Sequence, residues 1–147
     1  MTHWICKSFA DLTTDELYAI LLLRSEVFVV EQNCVFLDMD NKDQRCHHLM
    51  GWKDDVLVGY SRIIRAGISY AESSIGRIVT SPVARGEGVG RELLTKSIDT
   101  LYTLHGRQPV RIGAQLYLKS FYESFGFVQK GEIYLEDGIE HIEMLLV

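Results

Sequence analysis

Between Ser74 and Leu104 the chain reads SIGRIVTSPVARGEGVGRELLTKSIDTLYTL, and this stretch limits the fold more than any other. Ile75, Ile78 and Val79 form a β-type run that Ser81-Pro82 stops, because proline cannot continue a ladder. Arg85-Gly86-Glu87-Gly88-Val89-Gly90-Arg91 follows, with glycine at every second position. From Val89 onward, Leu93, Leu94, Ile98, Leu101 and Leu104 recur at helical spacing. A strand, a glycine turn and an amphipathic helix therefore follow one another directly. Glycines at a helix entrance let backbone N–H groups approach a ligand, and the unpaired amides with the helix dipole favour an anion, typically a phosphate. Spacing excludes two common phosphate loops. A dinucleotide fingerprint counted from Gly86 would need glycine at Arg91, and no pair of glycines is followed by the Lys-Ser or Lys-Thr of a Walker loop.

The remaining chain agrees with one globular domain spanning residues 1–147. At 147 residues it can bury a single core, and 47% apolar with 24% charged residues is ordinary globular usage. A net charge of −5 without Lys/Arg runs argues against a nucleic-acid binder. Cys6, Cys34 and Cys46 are odd in number and lack metal-ligand spacing, which suits reduced thiols and a cytoplasmic location. MTHWICKSF is too short and polar for a signal peptide, and the longest apolar run, Leu17 to Leu23, is about a third of a membrane span. No membrane role is expected.

In order, Trp4 to Phe9 reads as a first strand. Thr13-x-x-Glu16 is a capping box with Leu12 and Leu17 at staple positions, opening a helix over Thr14–Val30. Arg24 falls on the buried side of that helix and needs a partner, either Glu31 or a loop aspartate. Cys34 to Arg45 reads as an Asp/Asn-rich loop. His48–Trp52 and Val56–Ile64 form a hairpin across Lys53-Asp54-Asp55. After the central helix come a short strand at Val110–Ala114, a helix at Tyr117–Phe125 closed by Gly126, and a hairpin of Ile133–Glu136 and Ile139–Val147 on an Asp137-Gly138 turn. The order predicts a mixed α/β (α+β type) sheet with helices on both faces.

Two motifs carry a resemblance. Arg85-x-x-Gly88-x-Gly90 fits the Arg/Gln-x-x-Gly-x-Gly/Ala signature of the GCN5-related N-acetyltransferases. Phe121-Tyr122-Glu123-Ser124-Phe125-Gly126-Phe127 matches the FY-x-x-x-GF segment of the same superfamily. LLLRSEVFVVEQNC, DMDNKDQRCHHLMGW, Ile75 to Val79 and EIYLEDGIEHIEM further resemble its ElaA-like bacterial branch, nearly end to end. The resemblance implies a mostly antiparallel sheet splayed between two parallel central strands, Ser74–Thr80 and Val110–Ala114. Acetyl-coenzyme A would lie in the splay as co-substrate. A small-molecule or peptide amine would enter from the opposite side and be acetylated directly in a ternary complex.

By the same resemblance, the backbone of Ile78 and Val79 would pair with the pantetheine arm. Gly86, Glu87, Gly88, Val89, Gly90 and Arg91 would offer amides to the pyrophosphate, and Arg85 would order the loop or reach a phosphate. Tyr122 stands where many members place the acid that protonates the leaving thiolate. Gln115 replaces a frequent Asn that bonds the pantetheine, and Leu118 replaces a frequent Ala beside it. A phenol with a pKa near 10 can give a proton to a thiolate of lower pKa, so Tyr122 suits that task; an interior tyrosine beside Phe121 is the plain alternative. No acid lies on the central strand to serve as base, and Glu72 only sits at its entrance. His48 and Glu31 are candidates, with Asp38 and Asp40, and so is bulk water. His48 has the most suitable unperturbed pKa.

Asp38, Asp40 and Asp43 fail the calcium-loop pattern. They read either as an acidic rim drawing a cationic acceptor, with Arg24 and Glu31 tying the helix to that pocket, or as a solvated loop. Cys46, His47 and His48 alternate across a strand and offer no fourth ligand, so no metal is expected. A non-catalytic acyl-coenzyme A-binding module on the same fold is the alternative function. The oligomeric state stays open between a monomer and a homodimer.

Overall fold

The computed structural model describes residues 1–147. Strands β1 (His3–Ser8), β2 (His47–Lys53), β3 (Val56–Ile64) and β4 (Ser74–Thr80) form one antiparallel sheet in that order. Strands β5 (Val110–Gln115), β6 (Val128–Glu136) and β7 (Ile139–Leu146) form a second, ordered β5-β7-β6. The two expected parallel neighbours, β4 and β5, touch through one parallel bridge between Ser73 and Val110, where the Arg111 amide donates to Ser73 at 2.9 Å. Beyond that point the strands separate. The splay is therefore a complete division of the sheet, hinged at one end.

Helices cover both faces of the first sheet, which explains why β3 is buried along nearly its whole length. Helix α1 (Thr14–Arg24) packs Ile20 and Leu23 on Met50, Tyr60 and Val79. Helix α2 (Val89–His105) packs Leu93, Leu94 and Leu101 on Leu49, Ile63 and Ile75, and the same cluster continues into Ile112, Ala114, Ile142 and Met144 of the second sheet. Alternation along β2 and β3 assigns these two sets to opposite faces, and on β4 a one-residue slip in the ladder between Ile75 and Val79 does the same. Helix α2 thus bridges the split from below, while α1 leaves the other side open.

The capping box at Thr13 and Glu16 is formed in both directions. The expected helix to Val30 is instead α-helical only to Arg24 and then winds as a π-helix over Ser25–Glu31. The wider turns coincide with bonds to other elements: Glu31 and Gln32, at the end of the segment, are held by Arg85 and Gln115. Such partners set the winding where local i→i+4 bonds alone would not. The expected helix at Tyr117–Phe125 is shorter, a 3-10 turn at Leu116–Leu118 leading into α3 (Lys119–Glu123), with Gly126 at φ +99°. Asp54 and Asp55 both adopt positive φ in the β2–β3 turn, the geometry a two-residue hairpin needs.

Candidate active site

A cavity of about 880 Å³ occupies the split, bounded by the π-helical segment, β4, β5, the 117–122 segment and the β6–β7 turn. Where β4 meets it, the ladder to β3 slips: Arg62 faces Gly76 and Tyr60 faces Val79, so Arg77 and Ile78 together oppose Ser61. Arg77 sits at φ +50°, a conformation that costs energy in a residue with a Cβ. Its side chain holds it there, with Nε 2.8 Å from Asp38 Oδ1 and Nη2 donating to the Asp38 carbonyl at 2.8 Å. A bulge of this kind frees backbone groups from the ladder and re-aims them. Ile78 and Val79, which follow it, line the cavity.

At the end of β4 the glycine loop forms a second, adjoining depression lined by Thr80, Gly86, Gly88, Gly90 and Arg91. Gly86 and Gly88 have φ of +84° and +79°, and Gly88 is the N-cap of α2. A Cβ at either would meet no atom within 4 Å, so glycine is required there by backbone conformation and not by crowding. Val89 turns inward onto Val58 and Ala84 and anchors the helix start. Arg91 lies over the Phe125 ring at 4.6 Å and donates to Ser124 at 3.0 Å. Glu87 points away, paired with Lys53 at 2.7 Å. A helix N-terminus with left-handed glycines before it and an arginine beside it is suited to a phosphate.

Tyr122 lines the cavity, its ring against Phe121 and Phe127 at 5.3 and 5.9 Å. The hydroxyl makes no hydrogen bond within the protein and is not sealed from the cavity. Burial pushes its pKa up. Gln115 also faces the cavity, but its amide exchanges hydrogen bonds with Gln32 at 3.1 and 3.3 Å, across the split. Leu118 adds an apolar wall.

The expected bases are placed differently from one another. His48 is 1% exposed and outside the cavity, with Nδ1 2.6 Å from the Tyr60 hydroxyl and Nε2 2.9 Å from the Asp43 carbonyl. Burial lowers its pKa and both nitrogens are engaged, so it has no access to an acceptor. Glu31 reaches the cavity, but Arg85 holds both of its oxygens at 2.6 and 2.7 Å and draws its pKa down, which weakens it as a base. Arg85 is thereby tied to the π-helix rather than free.

The acidic loop is also not a free negative rim. Arg24, fully buried, donates to Asp38 at 2.7 Å and Asp43 at 2.8 Å. Arg62 clamps Asp40 through two bonds of 2.8 Å and reaches Asp43 at 2.9 Å. With Arg77 the cluster holds three guanidiniums against three carboxylates. Burial alone would raise the Asp40 and Asp43 pKa values, but the arginine bonds and charges outweigh it and lower both. Arg24 thus has its partner in the loop, not in Glu31. The cluster braces the cavity wall and offers a cationic acceptor little unpaired charge.

Sequence reading missed His141. The hairpin alternation carries the signal: Ile142 and Met144 are core residues, so His141 and Glu143 belong to the other face of β7. That face borders the cavity, and His141 lines it with Tyr70 and Gly113.

Acyltransferases of known structure share this divided-sheet fold. An acyl-CoA N-acyltransferase from Pseudomonas aeruginosa superimposes with a TM-score of 0.95 at 42% identity, covering 100% of both chains. Escherichia coli ElaA gives 0.93 at 42% identity, again over 100% of both chains. In sequence, ElaA of Escherichia coli K12 is 43% identical over 146 residues, 98% of this chain and 95% of that one. The family model described as Acetyltransferase (GNAT) domain matches residues 12–147. The chain belongs to the GNAT acetyltransferase family.

Proposed function

We infer that the protein is an N-acetyltransferase that takes acetyl-coenzyme A and a primary amine, of a small molecule or a peptide, into one ternary complex. The observation that carries this reading is the continuity of the glycine cradle with the cavity between β4 and β5. Gly86 and Gly88 with Arg91 suit the pyrophosphate, and the Ile78–Val79 backbone suits the pantetheine arm. Gln115 reaches that arm once it leaves Gln32. Holding amine and thioester in line can supply a large part of the ~7–11 kcal/mol available from orientation in favourable cases.

Tyr122 is the acid in this reading. Its raised pKa keeps the proton on the phenol at neutral pH, available to the departing sulfur. The same apolar surroundings raise the thiolate's proton affinity, so the match between donor and acceptor is retained. The acceptor would enter past the Phe36–Leu37 loop and the β6–β7 turn, which line the open side.

Calorimetric titration with acetyl-coenzyme A, against NAD and ATP as controls, tests the reading. Micromolar binding of the thioester alone is the expected result. Absence of binding would remove the acetyltransferase reading.

A further inference from the structure

We propose that His141 is the general base that removes the acceptor amine's proton. This rests on the acetyltransferase reading above and supplies the group that neither His48 nor Glu31 can.

Position is the first argument. His141 on β7 is the register partner of Gln115 on β5. Opposed residues of an antiparallel pair share a face, with Cβ atoms about 5 Å apart. Gln115, Ile78 and His141 all line the one cavity. An acyl group held between Ile78 and Gln115 is therefore next to the imidazole, on the side left open for an acceptor.

Orientation is the second. His141 Nδ1 lies 2.7 Å from the carbonyl oxygen of Ile139. A carbonyl only accepts, so Nδ1 carries the hydrogen and the Nε2 lone pair is left to take a proton. Glu136 Oε2 stands 3.5 Å from Nε2, close enough to stabilise the imidazolium once formed. The Tyr134 ring stacks on the imidazole at 5.7 Å and fixes its plane. The His141 side chain, part of the cavity wall, is 8% exposed against 59% for Glu136, so the counter-ion stays in contact with water. Around it, β6 contributes Glu136 and the Tyr134 phenol, and β5 contributes the neutral Gln115 amide. The turn adds the Asp137 carbonyl, which accepts from Cys34 at 3.1 Å.

The step balances without another reactant. The acceptor enters as the neutral amine, and Nε2 takes the one proton that its nitrogen loses as it adds. The N–C bond forms and the C–S bond breaks, and the sulfur keeps the bonding pair and accepts the Tyr122 proton. The imidazolium then releases its proton to water past Glu136, and the phenol regains one from water.

Bromoacetyl-coenzyme A tests contact with the acyl position without requiring the natural acceptor. Used on a Cys34→Ser variant, which removes the competing thiol of the cavity, it should alkylate His141. Nε2 attacks the CH₂ carbon and bromide leaves, and mass spectrometry of the digest should place the adduct on His141. Reagent that binds by calorimetry but leaves His141 unmodified overturns the proposal. Failure of the reagent to bind at all overturns the acetyltransferase reading and this proposal with it. Thiol release from acetyl-coenzyme A with methylamine as acceptor gives the catalytic test. His141→Gln should lower kcat/KM ~10²-fold at neutral pH, with acetyl-coenzyme A affinity unchanged. Equal rates in the two proteins overturn the base.

Discussion

Tyr122 shows what burial does to a single side chain. The residue is 5% exposed and burial shifts its phenol upward in pKa, so it keeps its proton to higher pH than an ordinary phenol. An alkaline loss of activity below pH 10 therefore cannot come from this group. Tyr122→Phe should reduce kcat ~10–10³-fold, the lower part of the range for acid catalysis, while calorimetry finds the same affinity for acetyl-coenzyme A. Unchanged turnover would return Tyr122 to a packing role beside Phe121 and Phe127. Glu31 illustrates the opposite case. The sequence offers Glu31 as a candidate base and it does line the cavity, yet the arginine that the glycine motif itself supplies, Arg85, occupies it.

At the scale of elements, the glycine loop and α2 act as one unit. The left-handed conformation at Gly88 costs any residue with a Cβ about 1–2 kcal/mol. There is room for the side chain on the protein side, so Gly88→Val should fold. Its thermal midpoint should fall by a few degrees, and its affinity for acetyl-coenzyme A by at least ~10-fold, because the isopropyl group would stand where a phosphate approaches. Wild-type affinity in that variant would sink the loop assignment. The π-helical end of the first helix belongs to the same scale. It carries Glu31 to Arg85 and Gln32 to Gln115, so one irregular segment links the loop and the second sheet.

The whole molecule is two sheets joined by a bridge and by α2 beneath, with the Arg–Asp cluster beside the cavity tying α1 and the aspartate loop to the first sheet. The cluster's stability contribution is pH-dependent in a definite direction. Asp43 has a lowered pKa in the folded protein. Its contribution is therefore complete above its unfolded value of about 4 and declines as pH falls through the folded one. Asp43→Asn leaves Arg24 and Arg62 short of a charge in a buried site, which should cost roughly 3 kcal/mol at pH 7. Urea unfolding should show that gap narrowing below pH 4. A gap that is constant with pH would mean that Asp43 acts through packing alone.

Residues 74–104 determined much of this protein unaided. Their strand, glycine turn and helix follow from local chemistry: proline ends a ladder, glycine permits positive φ, and leucines at helical spacing need a surface to cover. The mixed sheet, the helices on two faces and family membership were legible for the same reason, since periodicity and contiguous motifs are written in order along the chain. The partners of Arg24, the burial of His48 and the neutralised aspartates were not. Each depends on residues distant in sequence meeting in space, as Arg62 meets Asp40 or Gln32 meets Gln115. His141 lies between these cases. Alternation already assigned its face, but only the folded sheet showed that this face borders the cavity, because strand pairing, not sequence proximity, sets it beside Gln115.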